Sequence, residues 1–207
     1  MKLKVIGIAA LVLASAIYIT YKPPNTIQIP SDLSDYEVAT FAGGCFWCME
    51  AAFETTNGVV ETVSGYTGGH TVNPTYEQVL TKTTGHLEAV QVYYDPGKVT
   101  YRELLDVYWR NIDPTDDKGQ FFDKGAQYLT AIFYGDEEQR TQAEQSKQEL
   151  ELSGRFSDPI VTEIIEFDVF YKAEEYHQDY YKKQVLNYKL YSSASGREEF
   201  QKEFWGE

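Results

Sequence analysis

Cysteine and histidine are scarce in this chain of 207 residues, which has two of the first and three of the second. A tetrahedral zinc site takes four protein ligands, or three and a water. Beyond Cys45 and Cys48 only His70, His86 and His177 remain, with neither a second CxxC nor an HxxxH, so a metal centre is not expected. Basic residues are also few, 18 against 32 acidic ones, for a formal net charge of −14. That balance argues against nucleic acid and against adsorption to anionic lipid, both of which reward basic surfaces. Internal repeats are missing, and a single core of 43% hydrophobic composition suits one domain. Only one long apolar run occurs, at residues 5–21, behind Lys2 and Lys4.

That run reads as an export or anchoring segment. Its length is at the short end for a spanning helix, which suits an uncleaved signal anchor, and Ala14-Ser15-Ala16 is a small-residue triplet that suits a cleaved signal peptide. The two lysines favour an inside N-terminus, hence a membrane-anchored or exported protein with an extracytoplasmic body. Residues 22–35, with Pro23, Pro24 and Pro30, read as a linker to a catalytic domain at residues 36–207.

What is present concentrates in Gly43-Gly44-Cys45-Phe46-Trp47-Cys48-Met49-Glu50. Two glycines allow a sharp turn and close backbone approach, and the residues that follow are good helix formers with Phe46, Met49 and Phe53 at apolar spacing. Cys45 is thus expected at a helix N-terminus, where free N–H groups and the dipole favour the nucleophilic thiolate. Phe46 and Trp47 offer an apolar wall beside it. By itself a CxxC serves disulfide exchange, metal binding and nucleophilic catalysis alike.

Further along, strands are expected at residues 37–41, 59–66, 87–94, 128–134 and 161–167, the third from its period of two. Thr100-Tyr101-Arg102-Glu103 is a capping box for a helix to about residue 112, and Asp136 caps a long polar helix to about residue 152. Helices are also expected at residues 173–181 and after Ser195-Gly196-Arg197-Glu198, with irregular loops from residue 68 to 74 and from 113 to 123. Strands and helices without regular alternation indicate an α+β class with helices on a mixed or mostly antiparallel sheet.

The octapeptide resembles the catalytic motif of the A-type peptide methionine sulfoxide reductases, which act on the S epimer. The resemblance extends, in family order, through Gly65-Tyr66-Thr67-Gly68-Gly69, Asn73-Pro74-Thr75-Tyr76, Thr84-Gly85-His86-Leu87-Glu88-Ala89-Val90, Tyr94-Asp95-Pro96 and Asp123-Lys124-Gly125-Ala126-Gln127-Tyr128. It covers residues 36–190 and implies a two-layer α/β roll on a ferredoxin-like mixed sheet core, here preceded by an N-terminal hydrophobic helix. The implied activity is thiol-dependent reduction of methionine sulfoxide, free or in oxidised proteins, as in repair after oxidative stress. No bound cofactor is implied; thioredoxin or another dithiol is the reductant, and the chain is expected as a monomer.

Sulfoxide reduction needs a thiolate and a group that protonates the departing oxygen. Cys45 matches the family's nucleophile. Glu88, by pattern alone a solvated strand residue, matches its acid, and burial would keep such a carboxyl protonated. Tyr76 and Tyr128, ordinary aromatics by local pattern, match the phenols that hold the sulfoxide oxygen. Asp123 matches an acidic residue that organises the site, and Phe46 and Trp47 match the pocket for the substrate methyl. Attack by Cys45 leaves a sulfenic acid that a nearby thiol condenses to a disulfide. Many family members keep cysteines for this in a C-terminal tail. The tail here, residues 187–207, has none, and Cys48 is the internal candidate at a helical i, i+3 spacing. His86 and His177 are assigned structural hydrogen bonding. Two rivals remain from the residues alone: a membrane-tethered, thioredoxin-like thiol–disulfide oxidoreductase resting on CxxC, and a cell-surface binding module.

Overall fold

A computed structural model describes Leu33 and residues 35–206. Eight strands and seven helices follow in chain order. They are β1 (Glu37–Gly43), α1 (Phe46–Glu54), β2 (Val59–Thr67), α2 (Tyr76–Leu80), β3 (Leu87–Tyr94), α3 (Tyr101–Arg110), β4 (Gly119–Gln120) and β5 (Asp123–Lys124). After a 3-10 turn at Ala126–Tyr128 come β6 (Thr130–Tyr134), α4 (Glu137–Leu152), β7 (Glu163–Glu166) and β8 (Phe170–Lys172). The chain then runs through α5 (Tyr180–Lys183), α6 (Val185–Ala194) and α7 (Arg197–Trp205).

Six strands form one sheet in the order β7-β6-β1-β3-β2-β8, and β4 and β5 make a separate hairpin. All neighbours in the large sheet are antiparallel except β6 and β7, so the sheet is mixed. Its centre, β1-α1-β2-β3-α3-β6 with strand order β6-β1-β3-β2, is a split βαβ arrangement of ferredoxin type.

Alternation of side chains decides what each face of β3 meets. Val90 and Val92 join Phe41, Phe53, Leu104, Leu105 and Tyr108 in the core between sheet and helices. Ala89 and Tyr93 point the other way, into a second cluster with Val63, Phe133 and Phe170. Glu88 shares the parity of Val90 and Val92, and its register partner is Tyr66 of that same main core, which puts a carboxyl on the helix side of the sheet. Phe41 stacks on Phe53 at 5.0 Å and on Tyr108 at 5.1 Å, clamping α1 and α3 over β1.

The capping box at Thr100 and Glu103 opens α3, and Asp136 caps α4 through a 2.8 Å bond from the Gln139 N–H. Thr75 and Gln78 form a second capping box that opens α2, a helix within a stretch for which the sequence was given no element.

The helix expected at residues 173–181 is replaced by a set of turns that follows β8 at the sheet edge and leads into the single turn of α5. Tertiary hydrogen bonds override helix propensity there. The Ala173 N–H donates to the Ser64 carbonyl, and the Gln178 amide bonds the Ser64 N–H, the Ser64 carbonyl and the Ala173 carbonyl. Asp179 then takes φ 53°, which breaks any helix through it.

The expected linker and hydrophobic helix fall outside the described residues, apart from Leu33 and Asp35. Membrane anchoring is corrected in one respect. Among the described residues no helix is long and apolar enough to cross a membrane. The longest, α4, has 16 residues and is polar along most of its length, too short and too polar to span.

Candidate active site

The chain leaves β1 through Gly43 and Gly44 into α1. A Cβ on Gly43 would sit 2.7 Å from Met49 Sδ, and Gly44 takes φ +81° with Gln120 packed against it, so neither position has room for a side chain. This turn makes Cys45 the N-cap residue of α1. Its carbonyl accepts from the N–H groups of Cys48 at 3.1 Å and Met49 at 3.3 Å, while its thiol does not cap the helix. Instead the Phe46 N–H, an orphan donor of the first turn, donates to Glu88 Oε2 at 3.1 Å. The carboxyl from β3 and the thiol from α1 therefore meet at one helix end.

Cys45 and Cys48 are each 4% exposed, both are free, and their sulfurs share a hydrogen bond. The expectation that the helix end makes Cys45 a thiolate is corrected. Burial raises its pKa well above the ordinary thiol value, and the Cys48 hydrogen bond and the Cys48 and Glu88 charges push the same way. A helix end is worth roughly 0.3–1 kcal/mol, less than burial of a thiolate costs. The Cys48 thiol is lowered to about 7 by the hydrogen bond from Cys45 against its burial, with help from the Arg197 charge. Glu88 is 2% exposed. Burial pushes its pKa up to about 8, opposed by the Phe46 N–H and reinforced by the charges of Asp123 and Cys48. At neutral pH Glu88 holds a proton.

Tyr76 begins α2, and its N–H is tied to Glu174 Oε1 at 2.9 Å. Tyr128 ends the 3-10 turn. The two hydroxyls hydrogen-bond each other and lie within electrostatic reach of Glu88 and Cys45; burial raises both phenols, which stay protonated donors. Asp123, in the β4–β5 hairpin, accepts from the Tyr191 hydroxyl, which is also hydrogen-bonded to Cys45. The Trp47 ring stacks on Tyr180 at 3.9 Å, and its indole N–H donates to His177 Nδ1 at 3.1 Å. The His177 ring lies 4.9 Å from Phe46 and 4.4 Å from Tyr76, so one wall of the site is aromatic throughout.

Cys45, Cys48, Phe46, Trp47, Tyr76, Glu88, Asp123 and Tyr128 thus gather around the start of α1. Sequence reasoning missed Tyr180, Tyr191 and Arg197, all from the C-terminal segment. With 17 tyrosines in the chain and no local motif around Tyr191, no signal was available for it. His86 lies apart, its Nδ1 accepting from the Gly69 N–H at 3.1 Å and its Nε2 bonding the Thr71 carbonyl at 2.7 Å, which holds the loop before α2.

Residues 37–207 match the family model described as "Peptide methionine sulfoxide reductase". The chain belongs to the peptide methionine sulfoxide reductase family. It is 56% identical over 170 residues to "Peptide methionine sulfoxide reductase MsrA" of Bacillus licheniformis, a match covering 82% of this chain and 94% of that one. Among solved structures it resembles methionine sulfoxide reductase A of Corynebacterium diphtheriae, with TM-score 0.67, 33% identity and coverage of 79% and 83% of the two chains. It also resembles Mxr1 of Saccharomyces cerevisiae solved in complex with Trx2, with TM-score 0.53, 25% identity and coverage of 74% and 91%. A sulfoxide reductase family leaves the thioredoxin-like oxidoreductase and the binding module without support. The expected membrane-anchored or exported placement is corrected to what the described residues show, which is that no helix among them is long and apolar enough to cross a membrane.

Proposed function

We propose that Cys45 is the nucleophile of a peptide-methionine (S)-S-oxide reductase that repairs methionine sulfoxide, free or in oxidised proteins, at residues 36–207 acting as a monomer. The substrate methyl lies against Phe46 and Trp47. Its oxygen faces Glu88, Tyr76 and Tyr128, and Asp123 keeps this group in order through Tyr191. Cys45 attacks the sulfoxide sulfur as Glu88 protonates the oxygen, the thiol proton passes back to the carboxylate, and in the adduct the hydroxyl moves from the methionine sulfur to the Cys45 sulfur as the bond between the two sulfurs breaks. The products are methionine and a Cys45 sulfenic acid. Cys48 then displaces the oxygen as water, forming a Cys45–Cys48 disulfide that a dithiol reduces.

The observation that carries this reading is the Phe46 N–H bond to Glu88, which sets a carboxyl kept neutral by burial at the helix turn bearing Cys45. No bound cofactor enters the cycle. A thioredoxin-like protein as reductant is supported by the yeast Mxr1 complex with Trx2. The test is turnover of racemic methionine sulfoxide with excess dithiol. The reading expects consumption to stop when the S epimer is gone; loss of the R epimer, or of neither, contradicts it.

A further inference from the structure

Arg197 is out of place by two ordinary criteria. It occupies the first position of α7, where the helix dipole disfavours a cation by roughly 0.3–1 kcal/mol, and it is 6% exposed. Gly196 at φ +89° starts the helix, and the Arg197 N–H is held by Ser195 Oγ at 3.3 Å, turning the side chain inward. There the guanidinium donates to the Gly43 carbonyl at 3.3 Å, contacts Met49 Sδ at 3.7 Å and covers the Phe121 ring at 4.7 Å. Its Nε is buried without a partner, and among the described residues no carboxylate lies within ion-pair distance. A buried guanidinium supported only by neutral groups is costly unless an anion compensates it. Local rules broken this way point to function.

Two groups that can carry negative charge lie within electrostatic reach of Arg197, Cys48 of the cysteine pair and Asp123. Five groups surround Cys48 and Cys45: Glu88 at the helix end, Asp123 from the hairpin, Tyr188 and Tyr191 from α6, and Arg197 from α7. Of the charges acting most strongly on Cys48, Arg197 is the cation and Asp123 the anion. Asp123 feels the Arg197 charge as well, but it accepts from Tyr191 and has Lys124 beside it.

We infer that Arg197 is a positioning residue whose fixed charge holds Cys48 as a thiolate for attack on the Cys45 sulfenic acid. This rests on the reading of Cys48 as the resolving thiol. In that step the Cys48 sulfur forms the S–S bond, the S–O bond of the sulfenic acid breaks, and the oxygen leaves with a proton as water. The oxidising equivalents come from the sulfoxide, so no other oxidant enters. An ordinary thiol at neutral pH is only a few per cent thiolate, which would make this step slow.

The experiment mixes the full chain with one equivalent of S methionine sulfoxide without reductant. Disulfide formation is followed by mass spectrometry across pH, and its rate is scored per mole of methionine released. Wild type should form the disulfide with a midpoint below the ordinary thiol value. Arg197→Gln should move that midpoint up by about one unit and slow the step about tenfold below it, because thiolate fraction falls in proportion. Arg197→Lys should recover the wild-type midpoint. An unchanged midpoint in Arg197→Gln, or a loss that is independent of pH and not rescued by lysine, overturns the role of Arg197 alone. A wild-type protein that stops at the sulfenic acid overturns the underlying reading of Cys48 and the inference with it. Thiolate absorbance near 240 nm in the reduced wild type needs no variant: one thiol should titrate near 7, and titration of both only in the ordinary thiol range contradicts the inference.

Discussion

In the proposed cycle Cys45 is the nucleophile although its resting environment favours the thiol, because burial outweighs the helix end. Cys45→Ser is expected to abolish sulfoxide reduction, since a hydroxyl is far less acidic and less nucleophilic; measurable turnover of that protein would contradict the assignment. Glu88 has the complementary task of holding a proton. Glu88→Gln should slow release of the first methionine by about 10²–10⁴-fold. The rate of the same step in wild type should fall as pH rises through about 8, where Glu88 ionises. Stopped-flow or quenched single turnovers check both, and a pH-independent rate in wild type would remove Glu88 as the acid. These roles were legible because Cys45 and Glu88 lie in dense local motifs. The proton distribution was not, since it depends on burial, which a motif does not state.

At the scale of elements, α1 is tied to its surroundings by two carboxyls, one from β3 and one of its own. Glu88 takes the Phe46 N–H at its start, and Glu50 on its inner face accepts from the Asp179 N–H at 3.0 Å, tying it to the turn before α5. Burial raises Glu50 to about 8, with its bond from Asp179 opposing, and its second oxygen is buried without a partner. Between the usual carboxyl value of 4.5 and about 8 the unfolded chain releases a proton that the folded chain keeps, so stability falls as pH rises across that window. Glu50→Gln keeps the acceptor and removes the ionisation. It should flatten the fall and stabilise the protein by on the order of 1–3 kcal/mol at the upper end of the window, as read by thermal melts. An unchanged slope would mean that Glu50 ionises freely. The boundaries of α3 and α4 were readable from their caps. The loss of helix at residues 173–181 was not, because Gln178 binds Ser64, 114 positions away.

Across the whole molecule, the central sheet delivers Cys45 and Glu88 from one side and the C-terminal segment closes on them from the other. Arg197 reaches Gly43 across 154 positions and Tyr191 reaches Asp123 across 68, and separations of that kind leave no trace in local sequence. The class, the family and the motif residues were therefore open to a reader of the chain, whereas the tail registered only as a helix start at Ser195-Gly196-Arg197-Glu198 and as lacking cysteine. In its place the tail brings a phenol and a guanidinium to the same pair of sulfurs. Cys48→Ser should still release the first methionine and leave a sulfenic acid that dimedone traps. Turnover with thioredoxin should fall more than turnover with a small dithiol, and equal losses with both would count against Cys48 as the resolving thiol.

The most direct test of the account is the oxidation state of the cysteines after one turnover without reductant. Wild type given S methionine sulfoxide should release one methionine per chain and lose two hydrogens between Cys45 and Cys48. Methionine released with both thiols still reduced, or oxygen retained on any residue other than Cys45, would contradict it.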